Sequence, residues 1–155
     1  MSMEKFEHKT FKDERGSFTP MPIETLGLKW NQCSIALNKK RYTFRGLHYQ
    51  TNPPQAKYVK VIQGSIVDFS VDVETFAGEF AVVNENEAVF IPAGRAHGYL
   101  TLEPNTIVAY FVEGEYNPES EHSIVWTHSP EVKRVVESYA RKSPLIISEK
   151  DQKGK

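Results

Sequence analysis

Between Tyr58 and Val112 the chain is a succession of short apolar runs, and the residues between them prevent the runs from joining into helices. Tyr58-Val59-Lys60-Val61-Ile62 and Ser65-Ile66-Val67-Asp68-Phe69-Ser70-Val71-Asp72-Val73 meet at Gln63-Gly64, a turn signal. Ala81 to Val83, Ala88 to Ile91, Tyr99 to Leu102 and Thr106 to Val112 follow, separated by Asn84-Glu85-Asn86, Pro92-Ala93-Gly94 and Glu103-Pro104-Asn105. Many short strands broken by Gly, Pro and Asn predict an all-β sandwich or jelly-roll barrel.

One helix is expected near the end. Ser129 is placed to cap it, Pro130 suits its first turn, and Val132, Val135, Val136 and Tyr139 repeat at helical spacing. The tail turns apolar again at Pro144-Leu145-Ile146-Ile147 before SEKDQKGK. With no repeat, low-complexity segment or linker, residues 1–155 read as one domain. The formal net charge of −1 excludes a strongly basic nucleic-acid binder. No run approaches transmembrane length, and the first residues, MSMEKFEHKTFKDERG, lack the apolar stretch of a signal peptide. The single cysteine, Cys33, agrees with a reducing compartment, so a cytoplasmic protein is expected.

Three kinds of chemistry compete for the histidines and Cys33. A metal site needs three or four converging ligands, and the chain has no H-x-H: two positions after His48 stands Gln50. Cys33 lies in an apolar, strand-like segment, Cys-Ser-Ile-Ala-Leu, which predicts a buried, inert thiol. His48 remains as a general acid or base, because imidazole changes charge near neutral pH without a metal. The bland alternative is a core histidine bonded to backbone. Its neighbours weigh against that: Arg45, Lys57, and Arg15 with Phe18 put basic and aromatic side chains near it in sequence, suited to a ligand with a phosphate and a flat ring.

Taken together, DERGSF (13–18), FRGLHYQ (44–50), PPQAKYVKVIQGSIVDFSVDV (53–73), VFIPAGRAHGYLTL (89–102), VAYFVEGEYNPESEH (108–122) and LIISEKD (145–151) resemble the dTDP-4-dehydrorhamnose 3,5-epimerase family, in the family's order and over nearly the whole chain. The resemblance implies a cupin-type jelly-roll β-barrel with a short C-terminal helical segment, a homodimer, a nucleotide-sugar substrate, and neither metal nor organic cofactor. It implies that His48 is the general base beside a sugar C4 ketone, that Asp151 pairs with it, and that Tyr110 returns a proton on the opposite face. Lys57 would stand near the ketone oxygen. Arg15 and Arg45 would contact the diphosphate and Phe18 and Tyr116 the nucleotide, while His97 and Tyr99 would line the pocket.

The chain departs from the family pattern in places. Pro20 stands where an acidic residue usually follows DERGxF, and Asn31-Gln32-Cys33-Ser34 replaces a Gln-x-Asn pattern, with Gln32 the assigned substrate contact. The hairpin at Glu74 to Phe80 and the C-terminal region are short, and W-x-D-P becomes Trp126-Thr127-His128-Ser129-Pro130. These differences leave the nucleotide base open, and also whether C3, C5 or both are inverted. A 3,4-ketoisomerase, a non-catalytic sugar-nucleotide-binding module and a metal-dependent cupin dioxygenase are the competing readings.

Overall fold

The computed structural model describes residues 3–20 and 29–154. Two five-stranded antiparallel sheets pack face to face as a jelly roll. The first runs, edge to edge, β1 (Glu4–Glu7), β9 (Glu87–Ile91), β6 (Ala56–Gln63), β11 (Thr106–Glu113), β4 (Gln32–Asn38). The second runs β12 (Glu121–Ser123), β5 (Phe44–Gln50), β10 (Ala96–Thr101), β7 (Ser65–Val71), β8 (Gly78–Asn84). A hairpin of β2 (Phe11–Asp13) and β3 (Gly16–Phe18) stands apart from both.

The two-residue period of the strands separates two cores. Val59, Val61, Ile66, Val83, Val89, Ile91, Tyr99 and Val108 come from both sheets and fill the space between them. The other face of the second sheet presents Phe44, Leu47, Val67, Phe69, Val71 and Leu100 to Val132, Val135 and Val136 of helix α1 (Pro130–Tyr139). This explains why β7 is buried along its whole length, with its odd residues under the helix and Ile66, Asp68 and Ser70 facing the interior. Each fully buried Val or Phe side chain contributes about 1.5–3 kcal/mol.

Three local expectations are corrected, while the turn expected at Gln63-Gly64 is present and carries the chain from one sheet to the other: β6 pairs with β9 and β11, β7 with β8 and β10. Gly64 has φ +85°, and a Cβ at this position would collide with Thr106. Ser129 occupies the cap position of α1, but its hydroxyl makes no capping bond. It is fully buried against Gly78, and its Oγ has no hydrogen-bond partner among the described residues. Cys33 is exposed, because β4 is an edge strand whose outward face carries Cys33 beside Ile35 and Leu37, 73% and 52% exposed. Finally, the SEKD tail forms a second helix, α2 (Glu149–Lys153), capped by Ser148 Oγ, which accepts from the Asp151 amide at 3.2 Å.

Candidate functional site

The site lies between the sheets, and each wall comes from a different one. Residue pairing fixes the wall from the first sheet. Tyr110 in β11 stands opposite Ser34 in β4 and Val59 in β6, while Val112 stands opposite Gln32 and Lys57. Directly opposed residues share a face, so Gln32, Ser34, Lys57 and Tyr110 point the same way. On the second sheet His48 of β5 is the register partner of His97 in β10 and of Ser123 in β12. Two adjoining cavities, about 160 and 240 Å³, share His48, Lys57 and Tyr110 in their linings.

His48 Nε2 lies 2.7 Å from Asp151 Oδ1, and the other carboxylate oxygen accepts the Gly46 amide at 3.0 Å. Burial alone would raise the Asp151 carboxyl. The His48 bond, the Gly46 amide and the nearby charges of His48 and Lys150 outweigh it and hold the group below the ordinary carboxylate range. Asp151 is therefore an anion at neutral pH, His48 presents Nε2–H to it, and His48 Nδ1 is left to accept a proton. A second pair lies behind the first: His97 Nε2 and Asp68 Oδ2 are 2.8 Å apart, both buried. Burial, opposed by His97 and Lys57, raises the Asp68 carboxyl.

Burial also pushes the Lys57 ammonium down to about 8, with the charges of Asp68 and Glu121 working against that shift. Arg45 projects into the second cavity beside Tyr99, His97, Ser148 and Lys150. Tyr116 and Gln32 line the first, and Gln32 Nε2 donates to Ser34 Oγ at 2.9 Å. Gln50 is no ligand. Its amide donates to the Pro53 and Glu115 carbonyls at 2.8 Å and accepts from the Asn117 amide at 2.9 Å, tying β5 to the loop that carries Tyr116.

Two expected contacts are not brought to this cavity. Arg15 and Phe18 sit on the separate β2–β3 hairpin, where Arg15 Nη2 bonds Asp13 Oδ2 at 2.6 Å and Phe18 is 69% exposed. The hairpin makes its own pairing and leaves its aromatic face unpacked within the chain. Conversely, Ser34, Glu121 and Lys150 line the site without having been singled out. Lys150 Nζ donates to Glu121 Oε1 at 3.3 Å. Burial opposes ionisation of Glu121, but that bond and the Lys150 charge keep it below its ordinary value. Its signal was the register: Glu121 pairs with Gln50, two residues from His48. Among the described residues no three His, Cys, Asp or Glu side chains converge as a metal site would require.

A model of the dTDP-4-dehydrorhamnose 3,5-epimerase family matches residues 3–155. The chain belongs to this family. It is 36% identical to the dTDP-4-dehydrorhamnose 3,5-epimerase of Methanothermobacter thermautotrophicus, over 96% of this chain and 86% of that protein. It is also 36% identical to that of Pseudomonas aeruginosa, over 97% and 88%. Against the Mycobacterium tuberculosis relative it is 35% identical, and the match spans 54% of that protein, about half its length. Among solved structures, the Bacillus anthracis epimerase with TDP and PPi bound superposes with a TM-score of 0.78 at 30% identity, covering 97% of this chain and 91% of that one. ChmJ, a 3'-monoepimerase from Streptomyces bikiniensis in complex with dTDP-quinovose, gives 0.81 at 26% identity, covering 97% and 81%. The family fold thus agrees with the jelly roll described above. No helix of the described residues is long and apolar enough to cross a membrane.

Proposed function

We propose that this family member is an isomerase that inverts C3 and C5 of a nucleotide-linked 4-keto-6-deoxy sugar, dTDP-4-dehydro-6-deoxy-D-glucose, without a cofactor. The observation that carries the reading is that His48 and Tyr110 come from opposite sheets and line the same cavities. Inversion requires proton loss from one face of a carbon and return to the other, so acid and base must stand on opposite walls.

The C4 ketone acidifies the hydrogens on C3 and C5. His48 Nδ1 takes one of these protons, and the C–H electrons move through the carbon framework onto the ketone oxygen. Asp151 stabilises the imidazolium, as an orienting carboxylate does in other histidine-based sites. The Lys57 ammonium neutralises the enolate oxygen, the largest charge that develops. The Tyr110 phenol then gives its proton to the carbon from the other face. A phenol is a weak acid in water but sufficient for an adjacent enolate. Arg45 holds the diphosphate, with Tyr116 and Gln32 on the nucleotide side.

The separate hairpin and the apolar outward face of β4 support a homodimer. Arg15 and Phe18 of one copy would complete the other copy's site, and Cys33, Ile35 and Leu37 would be covered. Light scattering that returned a monomer would remove this part of the reading. The activity itself is tested by proton NMR of dTDP-4-dehydro-6-deoxy-D-glucose with the protein in heavy water. Deuterium at both C3 and C5 is expected. Entry at one carbon alone would make the protein a single-centre epimerase, and no exchange with folded protein would reject the epimerase reading for this substrate.

A further inference from the structure

Asn38 ends β4 as one of the few buried polar side chains between the sheets, 2% exposed. It lines neither cavity, yet it touches two residues that do. Its Oδ1 accepts from Arg45 Nε at 2.8 Å. Its Nδ2 donates to Tyr99 Oη and to the Thr106 carbonyl, both at 3.2 Å. Two amide hydrogens thus meet two acceptors, and the carbonyl oxygen meets a donor. Turning the amide over would set its NH2 against Arg45 Nε and its oxygen against the Thr106 carbonyl, so the network allows one orientation.

That orientation matters because a guanidinium has two useful edges. Arg45 is exposed and flexible in principle, but the Nε side of its fork is taken by Asn38. Among the described residues, the one further hydrogen bond of its end is Nη2 to the Leu37 carbonyl at 3.5 Å, at the limit of a hydrogen bond. Arg45 lines the cavity that also contains His97, Tyr99 and Lys150, and with Nε committed to Asn38 its Nη1–Nη2 edge is the one left for a ligand there. A fixed fork suits bidentate binding of phosphate oxygens, and fixing it before binding spares the ordering cost at that moment.

We propose that Asn38 is a positioning residue for substrate binding: it bridges the two sheets and sets the Arg45 fork for the diphosphate of a nucleotide sugar. The inference rests on the proposed function above and adds a residue that does not itself meet the ligand.

The test is calorimetric binding of dTDP and of thymidine to the wild type, Asn38→Ala, Arg45→Ala and the double variant. Asn38→Ala should weaken dTDP about tenfold, the scale of losing one hydrogen bond to a charged group, and leave thymidine, which lacks the diphosphate, unchanged. In the Arg45→Ala background Asn38→Ala should have no further effect on dTDP. Asn38→Leu, of similar volume, carries the same expectation if the alanine variant fails to fold. Equal losses for dTDP and thymidine, additive losses in the double variant, or dTDP affinity unchanged by Asn38→Ala would each overturn the inference while leaving the epimerase reading in place. A folded wild type that binds no dTDP would remove that reading and the inference with it.

Discussion

His48 and His97 face each other across β5 and β10, and each lies within hydrogen-bond distance of an aspartate. Their surroundings differ. The His48 side chain is 32% exposed and His97 only 7%, with Asp68 fully buried. Asp151 arrives on a five-residue helix from the end of the chain, and both of its oxygens are bonded. Asp68 is part of β7, an interior strand paired on both sides, and its Oδ1 has no partner among the described residues. The same residue pair is thus partly exposed in one case and packed into the sheet in the other. Burial and the origin of the carboxylate separate the two, and chemical identity does not.

The largest effect should separate the two carboxylates. Asp151→Asn leaves His48 without an anion to stabilise its protonated form, and turnover should fall by about 10²–10⁴-fold, the span of general-base catalysis. Asp68→Asn should leave turnover within about tenfold, the scale of one positioning hydrogen bond. Steady-state kinetics on both variants checks the order; the reverse order would break the comparison. The next effect acts on the strands that set the pairs side by side. Gly46 has φ +119°, and a Cβ there would lie 2.6 Å from the His97 carbonyl oxygen and 2.7 Å from Gly98 Cα. Gly46→Ala should cost about 1–3 kcal/mol in urea unfolding, the range of backbone strain. It should also lower turnover, because β5 and β10 must separate.

The smallest effect is a pH limb. Lys57, pushed down to about 8 by burial, carries its positive charge below that pH and loses it above. The rate of enolate formation should therefore fall as pH rises through about 8. In Lys57→Arg, whose side chain stays charged, that limb should disappear from the kcat/KM profile even if the rate is lower throughout. A limb unchanged in the arginine variant would assign it to another group.

Much of this architecture was legible in the sequence because period-two strands bounded by Gly, Pro and Asn leave little choice: β6 to β11 fall within or next to the apolar runs. The pairing of His48 with Asp151 was readable only through family resemblance, since the two are 103 residues apart. Cys33 was misread because an apolar strand looks the same whether it is central or at an edge, and only the sheet order exposes it. Helix α2 is too short for a hydrophobic repeat, and its start depends on a single Ser148 cap. Glu121 and Asn38 escaped notice because ordinary polar residues become informative only once the register sets them beside Gln50 and Arg45.

The most direct test of the central claim, that the exposed pair moves the substrate proton and the buried pair does not, is deuterium entry from heavy water into dTDP-4-dehydro-6-deoxy-D-glucose catalysed by His48→Ala and by His97→Ala. The account predicts that exchange at C3 and C5 is lost in His48→Ala while dTDP still binds, and persists at a reduced rate in folded His97→Ala. Exchange near the wild-type rate in His48→Ala would contradict it.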